Sequence, residues 1–206
     1  MMAQDDELPA ALRAEITRDF ERLHQDRRRR MGLFSLLGLG LTLGFGFAMG
    51  RAAPAGWPFF TSLVAFAVAG LALTAFAFGL TLPVRRRLWP ILGLGIGVGL
   101  LALALSIRAD PAPVAFFHGS ACLGTGLGVA AVLIGLGLIL GRRVLRRHAP
   151  TGFLLGAGAG LLGVLPLHLA CVHSAADHLM VWHGLVPIMG GLFGAAAWTL
   201  LAPRPR

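Results

Sequence analysis

Two cysteines, Cys122 and Cys171, stand 49 residues apart, and histidines crowd both of them. His118 and Cys122 are four apart, and His168 and Cys171 three apart, so each pair shares one face of a helix. The segment PLHLACVHSAADHLMVWHGLVP, from Pro166 to Pro187, holds His168, Cys171, His173, Asp177, His178 and His183 between apolar flanks. An ionisable side chain in hydrocarbon costs about 2.5–3.5 kcal/mol, so such a cluster points to function. Three chemistries fit it. The thiols can form a disulfide if their Cα atoms come within about 7 Å. They can join His118, His168 or His183 as soft ligands for zinc, copper or cadmium. The histidines can also ligate haem. A purely structural role is open too: imidazoles bonded to carbonyls that Pro166 and Pro187 leave without donors, cysteines as small apolar residues, and Asp177 as a helix N-cap. No CxxC occurs, which excludes a zinc ribbon and a thioredoxin-type redox pair. No nucleophile, base and orienting group stand together, so an enzyme is not expected.

The elements that must position these groups are apolar. Of 206 residues, 56% are hydrophobic and 13% charged, and the mean hydropathy is +0.77. Soluble domains carry about 25% charged residues, so this is a membrane protein. Apolar runs at about Met31–Gly50, Phe59–Leu82, Leu88–Ile107, Phe117–Leu140, Thr151–Cys171 and Leu179–Leu201 are long enough for about 30 Å of hydrocarbon. They predict an all-α, six-transmembrane-helix bundle of three hairpins over residues 31–201, with residues 202–206 as a tail. All eighteen basic residues are arginine. Thirteen fall in blocks before the first run, after the second and fourth, and in the tail, whereas the opposite loops hold only Arg51 and Arg108. The positive-inside rule then places both termini in the cytoplasm and the Cys/His cluster on the outer side. Blocks between apolar runs also speak against direct nucleic-acid binding, and a midplane bare of charge against a transporter. Gly152, Gly156 and Gly160, four apart, predict close helix packing. No basic region followed by an apolar core opens the chain, so a cleavable signal peptide is not expected.

Residues 1–30 form the polar exception, with seven of the nine acids. Leu12, Ile16, Phe20 and Leu23 recur at helical spacing on an otherwise acidic helix. About twenty residues cannot bury a core, so the stripe must lie on membrane lipid, on this protein or on a partner.

GSACL at Gly119–Leu123, the arginine-rich GRRVLRR, and HLACVHSAADHLMVWHGLVP resemble the NrsF-type six-helix anti-sigma factors of the bacterial cytoplasmic membrane. The resemblance covers most of the chain, and its specific motifs lie in the last ~90 residues. Cys122 and Cys171 match the family's two cysteines, and Asp177, His178, Trp182 and His183 match the groups that follow; His173 stands where members often show proline. The resemblance implies that residues 1–30 hold an extracytoplasmic-function sigma factor at the inner membrane, with Leu12, Ile16, Phe20 and Leu23 as the docking stripe. A heavy-metal, redox or light-derived oxidant signal at Cys122 and Cys171 would release it, with Asp177, His178 and Trp182 supporting the site. The alternative reading is a small membrane protein that binds haem or metal for redox work.

Overall fold

The computed structural model describes residues 10–50, 57–79, 89–106, 119–141, 148–171 and 175–201. The elements among them are helical: α1 (Ala10–Ala48), α2 (Trp57–Gly79), α3 (Trp89–Ser106), α4 (Gly119–Gly141), α5 (Ala149–Ala170), the short α6 (Ala176–His178), a π-helical turn (Leu179–His183) and α7 (Leu185–Leu201). Glycine-rich sequences such as that of α4 are poor helix formers in water. In hydrocarbon every backbone N–H and C=O must be satisfied within the segment, which favours the helix regardless. Among the described residues, five segments are long and apolar enough to cross a membrane: α1, α2, α4, α5 and the broken stretch Leu179–Leu201. The expected third span corresponds to α3, an apolar helix of 18 residues. Outward side chains such as Leu36, Phe47 and Leu200 are more than 60% exposed. These helices make the chain a multi-pass membrane protein, with that apolar surface facing lipid.

Helix α5 is the hub. It packs against α1, α2, α4 and α7, and Leu155, Leu162 and Leu165 on it are fully buried. The expected glycine face is real. A methyl group on Gly156 would run into the Gly190 carbonyl and stand 2.9 Å from Gly194 Cα, and one on Gly160 would stand 2.5 Å from Pro187 Cα. Only glycine lets the α5 and α7 backbones meet this closely. Pro166 lies inside α5, which continues to Ala170. Gly46 of α1 packs at the same level: a methyl group there would stand 3.0 Å from Pro166 Cα.

The polar segment and the first span, expected as separate pieces, are one helix. No glycine or proline occurs between Ala10 and Met31, so nothing interrupts it. Its 39 residues reach about 58 Å, roughly twice the hydrocarbon thickness. Arg30 Nη1 ties it to α4 by donating to the Leu140 carbonyl at 3.2 Å, while its Nε donates to Asp26 Oδ2 one turn back on α1 at 2.8 Å. A cation on a last-turn carbonyl suits the C-terminal end of a helix. Leu12, Ile16, Phe20 and Leu23, on the part of α1 before this anchor, are 41–60% exposed.

Candidate functional site

Cys122 sits in the first turn of α4, Cys171 just past the end of α5, and His178 and His183 at the head of the last membrane segment. Three segments therefore deliver four ligands to one end of the bundle. Their ligand atoms all lie within 4.8 Å of one another. Cys122 Sγ is 3.9 Å from Cys171 Sγ, and Cys171 Sγ is 3.4 Å from His178 Nε2. The thiols are half-buried and not joined as a disulfide, whereas His178 and His183 are buried.

Local structure explains how the set converges. Helix α5 ends at Ala170, and Cys171 is extended with ψ 128°, its N–H still bonded to the Leu167 carbonyl at 2.7 Å. That departure from helical geometry separates Cys171 from the face that carries His168. Histidines five apart stand about 140° apart around an α-helix. Here Leu179–His183 is a π-turn closed by the Gly184 N–H on the Leu179 carbonyl at 3.0 Å. The wider turn brings residues five apart to one side, and the His178 and His183 rings meet edge-on with centroids 5.4 Å apart. Asp177 is exposed in the first turn of α6, where its Oδ1 accepts the His178 N–H at 2.8 Å. The expected N-cap is thus a neighbouring contact that steadies the His178 backbone. Trp182 lies across the start of α4: a methyl group on Gly119 would fall inside its indole ring.

The donor set fits a metal ion. A tetrahedral ion at about 2.3 Å from sulfur and about 2.0–2.1 Å from nitrogen holds its ligand atoms roughly 3.3–3.8 Å apart. The two sulfurs and one sulfur–nitrogen pair stand at 3.9 and 3.4 Å, close to that spacing, and all four ligand atoms lie within 4.8 Å of one another. His183 Nε2 is buried with no hydrogen-bond partner among the described residues. An orphaned nitrogen of this kind costs about 1–3 kcal/mol and is relieved by coordination.

Two expectations need correction. His168 does not join the set. Its Nε2 is 2.6 Å from Ser62 Oγ, and its ring stacks on Phe59 at 5.0 Å between centroids. Ser62 donates to the Phe59 carbonyl at 2.9 Å, so it is well placed to accept from the imidazole, a polar link between α2 and α5. His178, expected to support the site from outside, supplies a ligand atom itself. The sequence signal for it was the pair of histidines five apart ahead of Pro187, a residue that breaks the α-helical ladder. Haem is a poor fit to His178 and His183, because rings in edge contact leave no room for a macrocycle between them. His118 and His173 lie outside the described residues. No protein-family model, no curated protein and no solved structure matches this chain.

Proposed function

We propose that this chain is an anti-sigma factor of the bacterial cytoplasmic membrane, with both termini inside and α3 as a sixth membrane element. In this reading α1 captures an extracytoplasmic-function sigma factor on Leu12, Ile16, Phe20 and Leu23, and the Cys/His site outside takes the signal. One observation supports it above the others. A preformed thiol–imidazole site and an uncovered apolar stripe stand at opposite ends of one bundle. Eighteen residues of α4 separate Cys122 from Leu140, about 27 Å. Arg30 grips the far end of that same helix, so a shift of α4 at Cys122 reaches the root of the docking segment.

Cys122, Cys171, His178 and His183 would hold zinc, copper or cadmium; the ion would draw both thiolates and both imidazoles onto one centre. Ligand binding changes sigma affinity only if it favours the arrangement that sigma does not. The expected behaviour is capture of an extracytoplasmic-function sigma factor from the same cell by the purified protein, and its release on adding cadmium or a thiol oxidant. Ile16→Asp with Phe20→Asp abolishes capture, and Cys122→Ser or Cys171→Ser blunts release. Capture that survives the double substitution would exclude the stripe as the dock. The second reading, a membrane metal-binding redox protein, shares the Cys/His site. Bound copper that cycles reversibly, with no captured partner, would favour it.

A further inference from the structure

The apolar stripe on α1 has a direction as well as an exposure. Eleven residues make about three helical turns, so residues eleven apart stand in line on one face. Leu12 and Leu23 are in line with Phe34, Phe20 with Met31, and Ile16 with Arg27 and Gly38. Each line runs into the bundle. Phe34 is fully buried, its ring 6.3 Å from that of Phe78 in α2. Met31 packs against the core, and a methyl group on Gly38 would touch Leu133 of α4 and Leu162 of α5. The stripe is therefore the continuation of the face by which α1 holds the bundle. No glycine or proline between Ala10 and Met31 bends the helix away from that course.

The neighbouring helices stop where the stripe begins. Helix α2 ends at Gly79, next to Phe78, and α4 at Gly141, next to the Leu140 carbonyl that Arg30 grips; α5 starts at Ala149. Residues 10–29 of α1 thus project about 30 Å past them. Their apolar side overhangs the end of the bundle, which makes a corner with an apolar wall. The sign of charge at the other wall follows from the sequence. Residues 142–148, which connect α4 to α5, include Arg142, Arg143, Arg146 and Arg147 and no acid. Residues 80–88, which connect α2 to α3, include Arg85, Arg86 and Arg87 and no acid.

This pair of walls selects its occupant. Nucleic acid satisfies the arginines and leaves the stripe in water. Lipid meets the outward side of α1 and not a corner bounded by protein. A folded protein with an apolar patch bordered by carboxylates suits both walls, by burial on one and by charge complementarity on the other. We propose that the partner of this chain docks in the corner between residues 10–29 of α1 and the arginine-rich end of the bundle, and that it presents an acidic surface there. The inference rests on the capture reading above and adds the partner's place and chemistry. A partner so placed borders the end of α4, the helix whose first turn carries Cys122, so movement of that helix reaches it directly.

The test uses the full chain in phospholipid nanodiscs with the extracytoplasmic-function sigma factor that the wild-type chain captures. The photo-cross-linker p-benzoylphenylalanine replaces Phe20 on the stripe, the exposed His148 before α5, or the exposed Gln25 on the opposite face of α1. Phe20 and His148 should both cross-link to the sigma factor, and Gln25 should not. Arg146→Gln with Arg147→Gln should weaken capture about fivefold. Arg18→Gln with Arg22→Gln removes the same charge from the outward side of α1 and should change it less than about twofold. Arg85→Gln with Arg86→Gln carries the first expectation should the Arg146 and Arg147 variant fail to fold. Cross-linking from Phe20 without His148, cross-linking from Gln25, or equal capture by the two kinds of double variant would overturn the corner and leave the stripe as a dock. Cross-links from Phe20 to phospholipid or to a second copy of the chain, in place of the sigma factor, would overturn it too. A wild-type chain that captures no sigma factor overturns both this inference and the reading beneath it.

Discussion

Replacing Gly119 with alanine places a methyl group inside the Trp182 indole. Gly119 is buried at the first residue of α4, three residues before Cys122, and Trp182 immediately precedes His183. The indole is rigid, so either the ring swings away and drags the π-turn, or α4 retreats and takes Cys122 with it. Overpacking of this kind costs about 1–3 kcal/mol. Disturbing the shell that orients metal ligands costs about 10–100-fold in metal affinity. The two figures agree, since tenfold is ~1.4 kcal/mol. Gly119→Ala should therefore weaken zinc binding by that factor in competition with a chromophoric chelator, in detergent at fixed pH. Gly124→Ala is the control, because a methyl group there meets nothing within 4 Å. Zinc bound equally tightly by the two variants would refute the argument that Trp182 over Gly119 sets the ligand geometry.

Gly156→Leu drives a side chain into the Gly190 carbonyl and should destabilise the bundle by at least about 1–3 kcal/mol; Gly128→Leu, in open space, should not, as thermal unfolding in detergent would show. Arg30→Ala removes a charged hydrogen bond to the Leu140 carbonyl and one to Asp26, and should cost about 1.5–3 kcal/mol in the same assay. It should also reduce the release of a captured partner by cadmium, because the polar link from α1 to the end of α4 is gone. His168→Phe breaks the bond to Ser62 and should lower stability by about 1 kcal/mol while leaving metal stoichiometry unchanged.

Membrane helices were legible because hydrocarbon imposes one demand on every span, a long apolar run, and the sequence meets it. The glycine contact of α5 with α7 was legible because residues four apart share a helix face wherever the helix is regular. Reading failed where regularity fails. Pairing His168 with Cys171 assumed a helix through Cys171, yet α5 ends one residue earlier. His178 was set beside the ligands by the resemblance, and the π-helical turn that brings it against His183 leaves no regular spacing to read. The polar segment and the first span were read as separate pieces because their composition changes at Met31, yet no glycine or proline between Ala10 and Met31 breaks the helix that joins them. The clash that reserves Gly119 for glycine depends on a side chain more than sixty residues away, and no local pattern carries it.

The claim that Cys122, Cys171, His178 and His183 form one centre is tested most directly by titrating the reduced protein with cobalt(II) as a spectroscopic stand-in for zinc. One cobalt per chain should bind with the intense visible bands of a tetrahedral ion and the near-ultraviolet charge transfer of two thiolates, both lost in Cys171→Ser and weakened in His178→Ala. A weak octahedral spectrum, or a tetrahedral one that survives both substitutions, would contradict it.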